Sequence, residues 1–183
     1  QMCIRDRHMP YKALIMSILI SPMIVPLIIT AAGMFFFYAR INLVYTFTGV
    51  ILAHVALATP FVVITVTATL VGFDMNMVKA AQSLGAKPMR TFFKVIMPLI
   101  LPGIISGALF AFITSFDEVV IVMFMASIDQ LTIPKQMWAG IRQEISPVIL
   151  CMATCLVILS IVLLTTVELL RRRAERLRGI KAR

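Results

Sequence analysis

The chain has 183 residues, of which 61% are hydrophobic, and its formal net charge is +9. Soluble domains are about 45–50% apolar, and a domain of this length has too small an interior to hide the excess. The basic residues follow apolar runs and do not alternate with aromatic residues, which argues against a nucleic-acid-binding domain. The composition therefore predicts a membrane protein.

The first residues, Gln1 to Arg7, lack the apolar core of a signal peptide and resemble translated adaptor sequence. We expect residues 1–9 to be a non-native leader, with the natural N-terminus missing. Residues 10–183 are assigned to one transmembrane domain.

Four apolar segments follow, each long enough to cross ~30 Å of hydrocarbon as a helix of about 20 residues. They run from about Ala13 to Phe37, Leu43 to Val71, Leu99 to Ala126 and Val148 to Leu170. Backbone polar groups in lipid must pair within their own segment, so each segment is predicted to be helical. The predicted fold class is an all-α, multi-span transmembrane helical bundle.

Four prolines lie inside these segments: Pro22, Pro26, Pro60 and Pro102. Spanning helices tolerate proline better than soluble helices do, usually with a kink. We expect these kinks to serve packing, with a gating hinge as the alternative.

Lysine and arginine are distributed unequally between the two sides of the predicted membrane. Lys12, the loop after the second segment and the tail after the fourth hold twelve of them, whereas the opposite side holds Arg40, Lys135 and Arg142. Excess Lys and Arg mark the cytoplasmic side. Both chain ends and the loop 72–98 are therefore predicted to be cytoplasmic, and the loop 127–147 external.

The loop 72–98 carries the signals of two short helices. Asp74 is a good N-cap for a helix from Met75 to Leu84, in which Met77, Ala81 and Leu84 form an apolar stripe. Gly85 follows where a glycine relieves a left-handed turn. A second amphipathic stretch runs from Met89 to Met97, and Pro98 is expected to mark the passage into the third span.

The first of these helices has small residues, Ala80 and Ala81, that let another chain approach closely. Such a helix suits a cleft on a soluble partner, and it equally suits the surface of the lipid bilayer. The residues alone leave both readings open.

The sequence KAAQSLGA at residues 79–86, followed by VIMP at residues 95–98, resembles the EAA loop of binding-protein-dependent ABC transporter permeases. That pattern is Glu-Ala-Ala, three residues, Gly, nine residues, then Ile-x-Leu-Pro, and its spacing fits throughout. Three positions depart from it: Lys79 replaces Glu, Val95 replaces Ile and Met97 replaces Leu. Lys79 reverses a charge, so a salt bridge made by that Glu is not expected here.

Residues 60–63, 116–120 and 131–134 resemble the same family, most closely its spermidine/putrescine-type permeases, so the likeness runs from Pro10 to the tail. It implies a MetI-like fold of about six spans, of which this chain holds the last four. It also implies an importer built from a cytoplasmic ABC ATPase dimer, a second permease subunit and an external solute-binding protein. The location implied is the bacterial inner membrane, with a cytoplasmic C-terminus and lipid around the spans.

The resemblance assigns ATP and Mg to the partner ATPase, with no cofactor and no catalysis on this chain. The chain has no Gly-rich phosphate loop ending in Lys-Ser/Thr, which agrees with that division. The residues it implies for coupling to the ATPase are Lys79, Ala80, Ala81, Leu84, Gly85, Ala86 and Pro98.

Asp117 and Glu118 interrupt the third apolar segment. A charged residue at the centre of a bilayer costs at least ~2.5–3.5 kcal/mol, so neither is expected to face lipid. They lie about 27 Å of helix rise beyond Leu99, in the outer half of the membrane. One of them, with Ser115 and Thr114, is predicted to line the solute path and attract a cation such as a polyamine. The alternative is an interfacial acid, or one paired with a base of the partner permease.

Several polar residues inside the spans have two readings. His54, Thr59 and Ser106 either line a polar path or form hydrogen bonds between helices. Trp138, in the external loop, either anchors the water–lipid boundary or belongs to an outer gate.

Two further functions remain open. One is the same machinery acting on another solute, such as ferric iron, an amino-acid derivative or an anion. The other is a membrane assembly protein without transport activity, against which the two-helix loop argues.

Overall fold

A computed structural model describes residues 11–143 and 147–177 of the chain. The helices are α1 (Lys12–Ile24), α2 (Leu27–Arg40), α3 (Phe47–Val71), α4 (Met75–Ser83), α5 (Pro88–Thr91), α6 (Met97–Phe116), α7 (Val120–Met125), α8 (Ile133–Gln143) and α9 (Pro147–Leu177), and a π-helical turn (Phe92–Ile96) joins α5 to α6. The described residues are thus all-α, as predicted. The predicted leader at residues 1–9 and the last basic residues of the tail, 178–183, lie outside the described residues.

Among the described residues, three helical stretches are long and apolar enough to cross a membrane: Phe47–Val71, Pro88–Phe116 and Pro147–Thr166. The pair α1 and α2 passes the same test only when its two helices are counted as one broken span. The four predicted segments therefore correspond to three continuous spans and one bent pair.

The first segment is not the single span that was predicted from Ala13 to Phe37. It breaks at Val25 and Pro26, and α1 and α2 meet at 111°. Val25 is extended, with ψ of 135°, because the ring of a following proline disfavours the helical conformation. Pro22, four residues earlier, remains inside α1. Proline position within a segment therefore decides between a tolerated kink and a break.

The core of the bundle is the seam between α3 and α6. Gly103 and Gly107 of α6 lie directly against Thr65, Thr69 and the backbone of α3. A Cβ on Gly107 would stand 3.1 Å from Val62 Cα, closer than side chains ordinarily pack. Small residues four apart let two helix backbones approach in this way, and close packing replaces the hydrophobic drive that lipid does not supply.

The second loop helix and the third span form one continuous helical stretch, Pro88–Phe116. The third span begins with Pro98 in its first turn, as predicted, but no break in the helix separates it from the loop helix. Instead, Met97 donates its backbone N–H to the Phe92 carbonyl, five residues back, in the π-helical turn. Proline lacks an N–H and its ring crowds the carbonyl four residues earlier, and a π turn just before it relieves that conflict.

The third span ends at Phe116 and not at Ala126 as predicted. Asp117 leaves the helix with φ −96° and ψ 1°, and the separate helix α7 begins at Val120. Ile121 and Met125 of α7 are fully buried against Ala31, Ala53 and Leu57. The acidic pair thus lies in a turn between two helices, and α7 is a short buried element inside the bundle.

Candidate functional site

The loop 72–98 forms a hairpin whose first helix, α4, starts and stops where its side chains dictate. The Asp74 carboxylate accepts the backbone N–H of Asn76 at 2.9 Å, which confirms the predicted N-cap. At the other end Gly85 has φ of +79°, the left-handed conformation that favours glycine. The Gly85 N–H donates to Gln82 and the Ala86 N–H to Ala81, which closes a Schellman motif.

One face of α4 packs on the bundle. Val78 is only 5% exposed and lies in a cluster with Leu70, Phe73 and Ile96, near the end of α3 and the start of α6. The predicted apolar stripe lies elsewhere: Met77 is exposed and Leu84 is 89% exposed, whereas Ala81 is half-buried. The stripe seen in the sequence is therefore mostly exposed, because Met75 and Val78 are the side chains of α4 that pack into the core.

The predicted coupling residues lie on this hairpin with one exception. Lys79, Ala80, Leu84 and Gly85 are exposed, while Ala81 and Ala86 are half-buried. The exception is Pro98, half-buried within the following helix. We call the exposed face defined by Lys79, Ala80 and Leu84 the hairpin face.

At the other end of α6, the acidic pair splits into two environments. Asp117 is exposed, whereas Glu118 is 7% exposed and its carboxylate accepts the Ile121 N–H at 2.7 Å. Glu118 therefore satisfies the first turn of α7. The two acids do not lie in the third span, as predicted, but in the turn that follows it.

The two hydroxyl residues predicted for the solute path are both engaged. Ser115 Oγ lies 2.8 Å from His54 Nδ1 of α3, a hydrogen bond between helices. The Thr114 hydroxyl donates to the Phe110 carbonyl at 2.9 Å, and the Thr59 hydroxyl donates to Val55 in the same way. For His54 and Ser115 the structure supports the interhelical reading.

Asp117 opens into a cleft of about 410 Å³ between the end of α6, α8 and α9. Asp117 and Val119 form the first wall. Met137 and Trp138 of α8 form the second wall, and Leu156 of α9 belongs to the third. The cleft is thus an apolar trough with a carboxylate at its edge. Such a site is suited to a ligand that has both a cationic group and an aliphatic stem.

The loop after α7 is fastened by contacts between distant segments. The Tyr45 N–H donates to the Met125 carbonyl at 2.9 Å, and the Gln130 amide donates to the Tyr45 carbonyl at 3.2 Å. Tyr45 has φ of +63°, a conformation that non-glycine residues rarely adopt. Lys135 Nζ of α8 donates to the carbonyls of Ala126 and Ser127 at 3.3 and 3.2 Å.

Sequence reasoning missed two features. Gly103 and Gly107 form a G-x-x-x-G pattern in an apolar run, a signal that predicts close helix packing and was available. The contacts of Tyr45, Gln130 and Lys135 had no local signal, since Tyr45 and Gln130 are 85 residues apart. In the described parts of the chain, no group of three or more His, Cys, Asp or Glu is placed to hold a metal ion.

Comparison with known proteins gives several relatives. The spermidine/putrescine transport system permease protein PotC of Haemophilus influenzae is 30% identical over 162 residues, 88% of this chain and 63% of the relative. PotC of Escherichia coli K12 is 29% identical over 161 residues, 88% of this chain and 61% of the relative. The putrescine transport system permease protein PotI of Escherichia coli K12 is 37% identical over 103 residues, 56% of this chain and 37% of the relative.

The chain thus spans about three fifths of the length of the PotC relatives. The match to the family described as the binding-protein-dependent transport system inner membrane component covers residues 5–176, and so includes the hairpin, the seam and the acidic turn. The chain belongs to this family of inner-membrane transport components.

Proposed function

We propose that this chain is a permease subunit of an ATP-driven importer and that its solute is a polyamine. The observation that carries the proposal is the hairpin face: an apolar side chain, Leu84, stands 89% exposed at the tip of a helix whose other face is packed. Such a helix transmits force when a partner grips its tip, because Val78 ties it rigidly to α3 and α6.

The partner that fits the hairpin face is a cytoplasmic ABC ATPase. The side of the membrane follows from charge, since Lys79, Lys87, Arg90 and Lys94 make this loop strongly basic. A dimer of that ATPase would bind ATP and Mg and carry out the hydrolysis, with this chain acting without catalysis. A second permease and an external solute-binding protein complete the proposed assembly.

The solute class follows from the acidic turn. Asp117 lies at the edge of an apolar trough, and a polyamine has charged amines separated by methylene stems, so one ligand satisfies both parts of the cleft. Similarity to PotC and PotI supports the same class. Another solute carried by the same machinery remains the second candidate, and its discriminating test is uptake competition.

The partner is tested by cross-linking from the hairpin face. A cysteine at Leu84 should form a cross-link to a co-expressed ATPase, in a background from which Cys3, Cys151 and Cys155 have been removed. A cysteine at Val78, on the buried face of the same helix, is the matched control and should not cross-link. Labelling of Leu84→Cys by a membrane-impermeant reagent added outside intact cells would reverse the proposed topology.

The solute is tested by exchanging each acid for its amide. Asp117→Asn should reduce spermidine uptake at least about tenfold, because it removes the charge that faces the cleft. Glu118→Gln keeps an acceptor oxygen for the Ile121 N–H and should reduce uptake less. Unchanged spermidine uptake in Asp117→Asn would remove Asp117 from the solute path.

A further inference from the structure

One wall of the Asp117 cleft, helix α8, is connected to the end of α7 by a single side chain, Lys135. The cleft has Asp117 and Val119, which immediately precede α7, on one wall, and Met137 and Trp138 of α8 on the facing wall. Lys135 belongs to α8, yet its ammonium group reaches the carbonyls of Ala126 and Ser127 at the end of α7. The side chain therefore ties the α8 wall to the element that follows the Asp117 wall.

The contact of Lys135 can position α8 because α7 itself is held firmly at its first turn and along its length. Its first turn is held by Glu118, whose carboxylate accepts the Ile121 N–H at 2.7 Å. Its body is fixed by Ile121 and Met125, both 0% exposed, against α2 and α3. Because α7 is held in place, any movement of α8 relative to the end of α7 also moves the α8 wall of the cleft relative to the Asp117 wall.

Charge makes this contact stronger than an ordinary loop contact. Hydrogen bonds from an ammonium group are stronger than those between neutral groups, and the two carbonyls lie just past the C-terminal end of α7, where the helix dipole favours a cation. Lys135 is half-buried, so these carbonyls replace water around its charge.

We propose that Lys135 is a positioning residue that sets the width of the Asp117 cleft, and with it the affinity of this permease for a cationic solute. The part about the solute rests on the proposed function, whereas the part about the cleft geometry does not. Lys135 touches neither Asp117 nor the solute in this scheme; it acts through α7 and α8.

The test measures the cleft directly. Ile141 lies in the α8 wall and is exposed, and Ile141→Cys in a background without Cys3, Cys151 and Cys155 reports access to the cleft through its rate of thiol labelling. We expect Lys135→Met to change that rate about fivefold or more, because the wall loses two charged hydrogen bonds. Lys135→Arg keeps the charge and the donors, and should restore the rate to within about twofold of the parent.

The matched control is Arg40→Met, which removes one exposed positive charge at the end of α2, outside the cleft and on the side of the membrane predicted for Lys135. It should leave the labelling rate of Ile141→Cys unchanged. If Lys135→Met does not accumulate in the membrane, Lys135→Gln, which retains a neutral donor, is measured in its place and should show a smaller change in the same direction.

Protection by spermidine tests the solute part of the proposal separately from the part about the cleft geometry. Spermidine should slow labelling of Ile141→Cys, and the concentration giving half-protection should rise about tenfold in Lys135→Met but not in Lys135→Arg. Labelling that depends on Lys135 without any protection by spermidine would keep the positioning role and reject the polyamine. Equal labelling rates in the parent, Lys135→Met and Lys135→Gln would overturn the positioning role itself.

Discussion

The two ends of α6 are built by different means. At one end the hairpin is specified by neighbours in sequence: Asp74 caps α4 two residues away, and the helix is closed by bonds from the Gly85 N–H to Gln82 and from the Ala86 N–H to Ala81. Beyond the other end, the loop that follows α7 is held by residues from separate segments, among them Tyr45 and Lys135. A locally specified element can project from the bundle and keep its shape, whereas a site built from distant segments changes whenever those segments move. This difference fits a force-receiving element at one end and a solute site at the other.

The largest effect is expected where both ends depend on one feature, the α3–α6 seam. Gly107→Leu places a side chain against Val62 and Thr65, and should lower the free energy of unfolding by about 3 kcal/mol or more. Gly33→Leu is the control, since a Cβ on Gly33 meets nothing within 4 Å. Unfolding in SDS, followed by circular dichroism, gives both values. Equal stability of the two variants would show that the seam is not tightly packed.

The carboxylates of Glu118 and Asp74, which both accept helix N–H groups, should contribute different amounts to the free energy of unfolding. Glu118→Ala leaves the buried Ile121 N–H without its acceptor and should cost about 2–3 kcal/mol. Asp74→Ala, at an exposed cap, should cost only about 1 kcal/mol, because water replaces the lost acceptor. The same SDS titration compares them, and a larger loss for Asp74→Ala would reverse the contrast between the two ends.

The two faces of α4 offer a comparison within a single helix. Val78→Ala should lower the free energy of unfolding by about 2 kcal/mol, because it removes two buried methyl groups from the cluster with Leu70 and Ile96. Leu84→Ala should change stability by less than about 0.5 kcal/mol yet weaken ATPase binding, since Leu84 is exposed. Co-purification of the ATPase with each variant supplies the second readout. Normal co-purification with Leu84→Ala would count against the hairpin face as the docking surface.

The most local effect is expected at the tip of the hairpin. Gly85→Ala forces a Cβ into the left-handed conformation and should cost about 1–2 kcal/mol, confined to the end of α4. Gly72→Ala is the control, because its φ of −80° suits any residue and a Cβ there meets only the Thr69 carbonyl at 3.9 Å. Hydrogen exchange at Leu84 to Ala86 should rise in Gly85→Ala alone. Faster exchange throughout α3 would mean that the turn stabilises far more than its own helix.

The sequence predicted elements whose determinants are local. Apolar length identified α3 and α9, and the N-cap and C-terminal glycine placed both ends of α4 to within one residue. Predictions failed at prolines and at the acidic pair, where a local pattern has more than one structural outcome. Pro26 breaks a helix, Pro102 lies within one, and Pro98 is accommodated by a π turn.

By itself, the sequence determined that this chain is a membrane-embedded helical protein with a capped hairpin between two spans, because hydrophobic length and capping act over a few residues. Only the tertiary structure decided that Glu118 is buried and accepts the Ile121 N–H, that the exposed Asp117 lines the cleft against α8 and α9, and that Lys135 ties α8 to the end of α7. Adjacent acids with the same chemistry receive different environments because burial depends on packing partners far apart in the chain, although the Ile121 N–H that Glu118 accepts is local. Those partners are chosen by packing, which no local pattern encodes.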